Sequence, residues 1–154
     1  MSKPIIKSGL SWDEYYLSLA EQAAKKSKDP DTKVGALVVK NNKAVPGYNG
    51  FPRGVIDYED RWQRPEKYNW VVHAECNAIL TARMDLEGAT IYITHHSPCG
   101  ECAKIIIQAG IKRVVCGSGI LSPATLDRCK ESLVMFGEAG VKMERINGKN
   151  IGIA

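Results

Sequence analysis

We predict from the sequence an α/β fold, in which one central sheet of about five strands lies between layers of helices. Short apolar runs rich in Val and Ile alternate along the chain with longer segments whose apolar residues recur at helical intervals. Glycine follows several of the helical segments, at Gly110, Gly137 and Gly140, where helices commonly stop. No repeat or linker interrupts this pattern, so residues 1–154 are expected to form a single domain.

The first helix is expected over residues 11–26. Ser11 and Glu14 have the spacing of a capping box, in which each side chain accepts a hydrogen bond from the backbone of the other residue. Apolar side chains then recur at every third or fourth position as far as Ala24, so one face of this helix is expected to be apolar. The Asp29-Pro30-Asp31 segment ends it.

A β-hairpin and a long loop are expected next. Residues 34–39 form an apolar run typical of a buried strand, residues 43–48 supply the returning strand, and the Asn pair at 41–42 suits the tight turn between them. Residues 50–69 then show no clear period and carry several basic side chains. A structureless stretch of that length inside a compact domain is usually functional, so we expect this loop to cover or border a site.

Beyond the loop, helices and strands are expected to alternate. The predicted helices cover residues 74–83, 99–109 and 123–136. The predicted strands cover residues 90–94, 113–116 and 141–144. This reading places the two motifs described below at the beginnings of helices.

Composition limits the classes of function. No apolar run approaches the roughly 20 residues that span a bilayer, and the N-terminal segment lacks the apolar region of a signal peptide. A net charge of +4 suits a small anionic ligand and is modest for a nucleic-acid-binding surface. Clustered cysteines near a histidine, with no secretory signal, indicate metal binding or catalysis rather than disulfides. We therefore expect a cytoplasmic protein without membrane or nucleic-acid partners.

Two short motifs carry the chemistry, each at the beginning of a predicted helix. They are His73-Ala74-Glu75 and Pro98-Cys99-Gly100-Glu101-Cys102. Together they match the H-x-E…P-C-x-x-C signature of zinc-dependent nucleobase deaminases. The combination is far more specific than either motif alone.

The residue types in these motifs suit a catalytic zinc ion. Cys99 and Cys102 share one face of a helix, and His73 would supply a third ligand. Two thiolates balance the charge of Zn²⁺, and three protein ligands leave a fourth position open for water, as in catalytic sites. Glu75 beside such an ion could carry protons between the water, the cytosine ring and the leaving ammonia.

Three other readings stay open from the residues alone. A C-x-x-C pair that follows a strand and opens a helix also suits a redox dithiol. A structural zinc module would result if His95 or His96 supplied a fourth ligand, although both also suit ordinary loop positions. The same signature occurs in enzymes that deaminate a base in nucleic acid. Cys76, Cys116 and Cys129 lie in apolar segments and are expected to be core thiols.

Longer stretches of the chain are similar to those of one known family. They read DPDTKVGA at 29–36, GYNGFP at 47–52, VHAECNAI at 72–79, SPCGECAK at 97–104 and IQAGI at 107–111. On these stretches the sequence resembles the deoxycytidylate deaminase family over nearly its whole length. The resemblance implies a three-layer α/β/α sandwich of the cytidine-deaminase type with a mixed sheet. It also implies hydrolysis of dCMP to dUMP and ammonia, which feeds thymidylate synthesis.

The resemblance also implies roles for individual residues. One catalytic zinc would be held by His73, Cys99 and Cys102, with Glu75 as the proton shuttle. The implied substrate-binding residues are Asn49 at the sugar, Val34, Gly35 and Ala36 at the base pocket, and the backbone of Ala74 at the base edge. For the phosphate we choose Arg53 and Asn77 by position, since one follows Asn49 in the loop and the other follows Glu75 by two residues.

Regulation and assembly are further implications. Members of the family are often hexamers, activated by dCTP and inhibited by dTTP, and the loop Gly47-Tyr48-Asn49-Gly50 is tied to that control. A homo-oligomer is therefore implied, with Mg²⁺ accompanying a regulatory triphosphate. The chain departs from the family at Cys76, where Leu is usual, and over residues 54–68. That loop leaves a 5-substituted dCMP open as an alternative substrate, and no second, structural zinc is expected.

Overall fold

The helices and strands follow the predicted order in a computed structural model, which describes residues 2–3, 5, 9–95, 97–117 and 123–146. The α-helices are α1 Trp12–Ala24, α2 Ala74–Ala82, α3 Gly100–Gln108 and α4 Pro123–Ala139. The strands are β1 Gly35–Lys40, β2 Lys43–Tyr48, β3 Thr90–Ile93, β4 Arg113–Cys116 and β5 Lys142–Arg145. Element boundaries agree with the sequence prediction to within a few residues.

The five strands form one mixed sheet in the order β2-β1-β3-β4-β5. β1 is antiparallel to both β2 and β3, whereas β3, β4 and β5 are parallel to one another. The β1–β2 hairpin closes through Asn41 and Asn42, whose φ angles of 51° and 62° are those of the tight turn expected for an Asn pair. The sheet is therefore mixed, as the family resemblance implied.

Helices cover both faces of the sheet because successive side chains of each strand point to opposite sides. Leu37, Tyr92 and Val115 are buried against α1. Their neighbours along the three strands are buried in a second core together with residues of α2, α3 and α4. The arrangement is the predicted α/β/α sandwich.

Helix α1 is fixed at its N-terminus. The predicted capping box is present: the Glu14 backbone N–H donates to Ser11 Oγ at 3.1 Å, and the Ser11 N–H donates to Glu14 Oε1 at 3.3 Å. Asp13 beside it accepts two hydrogen bonds from Arg113 of β4, at 2.7 and 2.6 Å, and one from the Tyr92 hydroxyl at 2.7 Å. These bonds attach the start of the helix to the middle of the sheet.

The long loop before α2 differs from the structureless segment that we expected. It contains two short 3₁₀-helices, Glu59–Trp62 and Glu66–Asn69. The Trp62 ring stacks on Phe51 with centroids 4.1 Å apart and is almost fully buried. Single 3₁₀ turns are too short to produce a visible hydrophobic period, which explains why the sequence pattern missed them.

Helix α4 is longer than predicted. It passes through Gly137 and ends at Ala139, and Gly140 follows with the positive φ of 71° that terminates helices. Gly137 is therefore a helical residue and not a stop. None of the helices in the described part of the chain is long and apolar enough to cross a membrane.

Gly35 lets α1 lie directly on β1. A Cβ atom at this position would be 1.9 Å from the Ala20 carbonyl oxygen and 2.7 Å from the Ala24 backbone nitrogen. Both obstacles are backbone atoms of a capped helix, which cannot move aside as a flexible side chain could. The distance between this helix and the sheet therefore depends on a residue without a side chain.

We expect Gly35→Ala to lower the free energy of unfolding by about 3 kcal/mol or more, at the upper end of the cost of overpacking. Urea denaturation followed by circular dichroism would measure it. Gly137→Ala is the matched control, because a Cβ at this position would meet no atom within 4 Å apart from its sequence neighbours and its own helix backbone. That change should stabilise the protein by up to about 1 kcal/mol through helix propensity. Equal stability of the Gly35 variant and the parent would contradict the packing argument.

Candidate active site

The beginnings of two helices bring three metal-binding side chains together. His73 is the residue before α2, Cys99 is the residue before α3, and Cys102 lies in the first turn of α3. His73 Nδ1 is 3.3 Å from Cys102 Sγ and 3.5 Å from Cys99 Sγ. All three donor atoms lie within 4.8 Å of one another.

These donors fit a zinc ion. With zinc–nitrogen and zinc–sulfur bonds of about 2.0 to 2.3 Å, tetrahedral ligand atoms lie about 3.5 to 3.8 Å apart. The distances from His73 Nδ1 to the two sulfurs are close to that range. One imidazole and two thiols form a donor set that zinc prefers, and three of them leave a fourth tetrahedral position for another ligand.

The protonation of the three donors favours a cation. Hydrogen bonding from Cys102, and then from His73, lowers the pKa of Cys99 to about 3. The Cys99 sulfur in turn raises the pKa of Cys102 above its ordinary value. The hydrogen bond to Cys99 is also the main reason that the pKa of His73 is raised. The cluster therefore already carries one thiolate, and a dication would compete with its remaining protons.

Glu75 lies beside this cluster in the first turn of α2. Its side chain is only 5% exposed and lines the same pocket as His73 and Cys99. Burial raises the pKa of Glu75 above its ordinary value. A carboxyl group whose pKa is moved towards neutrality can both accept and donate a proton, as general acid–base catalysis requires.

Most of the predicted site residues meet at one pocket. Those that line it are Val34, Asn49, His73, Ala74, Glu75 and Cys99. Cys102 is buried directly behind, at 2% exposure. His95, whose role was left open, also lines the pocket. His96 lies outside the described residues.

Gly35 and Ala36, predicted for the base pocket, are not among the residues that line this cavity. Gly35 is buried under α1, and Ala36 lies in the core on the other face of the sheet. The strand conformation explains the difference, because β1 begins here and its side chains alternate between the two faces. Only Val34, the residue before the strand, reaches the pocket.

Arg53 and Asn77 also lie away from the pocket. Arg53 is an exposed loop residue, and the Asn77 side-chain amide donates to the Tyr48 carbonyl oxygen at 2.8 Å. Asn77 thereby attaches α2 to the loop at 47–50. Neither residue is among those that line this pocket, and their assignment to the phosphate stays a prediction.

Close packing explains the shape of the loop at 47–50. A Cβ at Gly47 would be 2.3 Å from the Ala78 backbone nitrogen of α2. Gly50 exchanges two backbone hydrogen bonds with Val72, of 3.1 and 2.7 Å, just before His73. Asn49 between them is turned into the pocket wall.

Asn49 is held in one orientation. Its Oδ1 accepts from the Val34 backbone N–H at 2.9 Å, while its Nδ2 donates to the Thr32 carbonyl oxygen at 2.9 Å and to Asp29 Oδ2 at 3.3 Å. The bond from Val34 requires an oxygen and the other two require an N–H group, so the amide cannot be reversed. Oδ1 keeps one lone pair for a further donor.

Asp29 organises this wall of the pocket and was missed by sequence reasoning. Its carboxylate accepts from the backbone N–H groups of Asp31 and Thr32, at 2.9 and 3.1 Å, and from Lys67 Nζ at 2.8 Å. Asp29 is 1% exposed and Lys67 is 4% exposed. Burial by itself raises the pKa of Asp29, but the hydrogen bonds from Lys67 and the backbone hold it below its ordinary value.

Other pocket residues also lacked a signal in the sequence. Arg64, Lys67 and Tyr68 belong to the long loop, which borders the pocket as expected, but nothing in its composition distinguished them from its other polar residues. Arg128 and Cys129 come from α4. Cys116 and Cys129 are buried, as predicted for core thiols, whereas Cys76 is only partly buried.

Three donors at zinc-ligand spacing beside a buried carboxyl group, on an α/β/α sandwich, are typical of zinc-dependent hydrolases. Comparison with known proteins narrows this class. The sequence model of the cytidine and deoxycytidylate deaminase zinc-binding region matches residues 10–118. The chain belongs to the cytidine and deoxycytidylate deaminase family.

Individual relatives agree with this assignment. Over 145 residues the chain is 40% identical to the human deoxycytidylate deaminase, covering 88% of this chain and 80% of that protein. Over 137 residues it is 43% identical to a deaminase from the luxG 3' region of Aliivibrio fischeri, which covers 86% of this chain and 91% of that protein. The crystal structure of dCMP deaminase from the cyanophage S-TIM5 in complex with dCMP and dUMP is similar at a TM-score of 0.69. That pair is 32% identical over 86% of this chain and 95% of that one.

We expect Lys67→Met to destabilise the protein by about 3 to 5 kcal/mol at pH 7.5, because it leaves the buried Asp29 carboxylate without its cation. Without Lys67, burial would raise the pKa of Asp29, so lowering the pH should protonate it and reduce the destabilisation. The difference in unfolding free energy between parent and variant should therefore be smaller at pH 5 than at pH 7.5. Urea titrations at the two values would measure it.

Lys28→Met is the control for this prediction. Lys28 is also paired, with Asp57 at 2.7 Å, but the two side chains are 71% and 33% exposed. Its replacement should change the unfolding free energy little at either pH, since exposed ion pairs contribute little. A Lys67 variant as stable as the Lys28 variant would show that the buried pair does not hold the loop.

Proposed function

We propose that the chain catalyses the hydrolytic deamination of dCMP to dUMP and ammonia. The observation that carries this proposal is the position of the buried Glu75 carboxyl beside the cluster of His73, Cys99 and Cys102, at one pocket. The substrate is inferred from the relatives that are described as deoxycytidylate deaminases. The reaction adds the oxygen of water to C4 of the ring and breaks the bond from C4 to the amino nitrogen.

In this proposal His73, Cys99 and Cys102 hold one Zn²⁺ ion. When bound, zinc supplies a Lewis acid that lowers the pKa of a coordinated water from about 15.7 towards about 7. Glu75 accepts a proton from the attacking water and donates it to the ring. Glu75 then moves the proton of the new C4 hydroxyl to the amino group, so that ammonia leaves and C4 becomes the carbonyl carbon of dUMP. The raised pKa of Glu75 supports this double role.

Asn49, Val34 and Ala74 are proposed to hold the nucleoside. The free lone pair of Asn49 Oδ1 would accept a hydrogen bond from a sugar hydroxyl, and the three bonds within the protein fix that oxygen in advance. Val34 and the backbone of Ala74 line the pocket next to Glu75, where the base has to lie. A pre-oriented acceptor costs less conformational entropy on binding than a mobile one.

The wider properties implied by the family are part of the proposal. We take residues 1–154 as one domain, acting as a homo-oligomer of six subunits in the cytoplasm and supplying dUMP for thymidylate synthesis. None of the five cysteines forms a disulfide bond. Exposed Leu80 and Ile105, on helices that pack against each other, support contacts with another subunit.

Regulation by triphosphates is proposed on the position of one loop. Residues 47–50 link α2 to the pocket through Gly47, Asn49 and the Asn77 amide. A triphosphate that moved this loop, with Mg²⁺ accompanying it, would shift Asn49 relative to the substrate. The family resemblance implies that dCTP activates the enzyme and dTTP inhibits it.

The first test compares deamination of dCMP, CMP, deoxycytidine and 5-methyl-dCMP by the parent and by Glu75→Gln. With dCMP, the variant should lose on the order of 100- to 10,000-fold in kcat, the contribution of general acid–base catalysis. It should keep about one zinc per chain, because Glu75 is not among the three donors. A Glu75 variant with parental activity, or a parent that deaminates none of these compounds with dCTP present, would exclude the proposal.

The second test removes the metal. Because zinc binding and folding are coupled, chelation should abolish activity and lower the melting temperature, and added Zn²⁺ should restore both. Metal content and thermal melts of the same samples would be compared with those of His73→Ala. A melting temperature that does not change after verified loss of zinc would contradict a role of the cluster as a metal centre.

A further inference from the structure

Three basic side chains line the pocket, and two of them are already partnered. They are Arg64, Lys67 and Arg128. The Lys67 ammonium is buried against Asp29 at 2.8 Å. Arg64 donates to the Tyr68 hydroxyl at 3.0 Å and lies 3.7 Å from a carboxylate oxygen of Asp31. The charges of both are thus compensated by acidic groups of the protein.

Arg128 differs from the other two. Among the residues that the structure describes, no side-chain carboxylate lies within 4.0 Å of its guanidinium group, and the remaining residues of the chain include no Asp or Glu. Its neighbour Asp127 is paired with Lys130 at 3.1 Å. Arg128 is exposed to solvent at the pocket, so a soluble anion can reach it.

The packing of α4 holds Arg128 at the same pocket as the metal-binding cluster. Ser132 Oγ donates to the Pro98 carbonyl oxygen at 2.9 Å, and Cys129 Sγ lies 4.0 Å from the Ser97 carbonyl oxygen. These contacts hold the helix against the segment that leads into Cys99. The charge of Arg128 also reaches the pocket interior, where it adds to burial in lowering the pKa of His95.

We propose that Arg128 binds the 5′-phosphate and makes the enzyme selective for a nucleoside monophosphate over the nucleoside. This inference rests on the proposed function and identifies a specificity residue for it. A phosphate monoester carries a charge between −1.5 and −2 near pH 7, with several strong acceptor oxygens. A guanidinium group can donate two parallel hydrogen bonds to such a group. Of the three Arg and Lys side chains in the described part of the pocket, Arg128 is the one whose charge has no carboxylate partner, so its charge can pair with the substrate phosphate.

Arg128→Gln tests the proposal, with dCMP and deoxycytidine as paired substrates for the zinc-loaded enzyme. The value of kcat/KM for dCMP should fall roughly 10- to 100-fold, the effect of losing hydrogen bonds to a charged group. For deoxycytidine, which has no phosphate, it should stay within about twofold of the parent. The loss should appear mainly in KM, and Arg128→Lys should recover part of it.

Arg83→Gln is the matched control, because Arg83 is an exposed arginine at the C-cap of α2 and is not among the residues that line the pocket. It should leave both substrates unaffected. An equal loss on both substrates in the Arg128 variant would indicate a structural role and overturn the proposal. So would an unchanged kcat/KM for dCMP, or a selective loss in the Arg83 variant.

Failure of the proposed function can be distinguished from failure of this inference. If the parent does not deaminate dCMP, the proposed function is wrong. Calorimetric titration with dUMP and deoxyuridine then tests separately whether Arg128 binds a 5′-phosphate. The parent should bind dUMP more tightly than deoxyuridine, and Arg128→Gln should remove that preference. A parent that shows no preference, or a variant that keeps it, would overturn the assignment of Arg128.

Discussion

The buried ion pair between Asp29 and Lys67 determines the shape of half the pocket. The loop between β2 and α2 has only single 3₁₀ turns, which contribute little stability by themselves. Asp29 joins this loop, through Lys67, to the turn that precedes β1 and to Asn49 at the end of β2. Removing two charges from water is costly, and such a pair persists only where other hydrogen bonds satisfy both groups. Three segments that are distant in sequence are thereby held in one wall.

The other half of the pocket depends on regular secondary structure. His73, Glu75, Cys99 and Cys102 all occupy the residue before a helix or its first turn. The positive end of a helix dipole favours thiolate and carboxylate at such positions. The rigid sheet and its helices thus supply the reacting groups, while the loop supplies the contacts for the rest of a ligand. Catalytic geometry is better preserved on rigid elements than on loops.

The sequence predicted the groups at the beginnings of helices better than it predicted the residues of the loop. The donors and Glu75 were found because their spacing is short and each residue type has a definite chemical use. Asn49 and Val34 came from resemblance, and the structure places both at the pocket. Gly35 and Ala36 follow Val34 in the strand, where alternate side chains point to opposite faces of the sheet, and neither is among the residues that line the pocket. Asp29, Lys67 and Arg128 carry no local signal, since their partners are distant in sequence.

In both halves of the pocket, the metal-binding cluster and the loop wall, charged groups are matched by groups of opposite charge. Two thiolates at the cluster would match the charge of a bound dication, Asp29 matches Lys67, and Asp31 lies near Arg64. Each of these pairs is satisfied within the protein and its metal, so none attracts an anionic ligand strongly. A buried pocket with an additional cation would repel the metal and lower the pKa of its acids. Arg128 is instead exposed to solvent, where the desolvation of its charge costs little and a ligand phosphate can contact it.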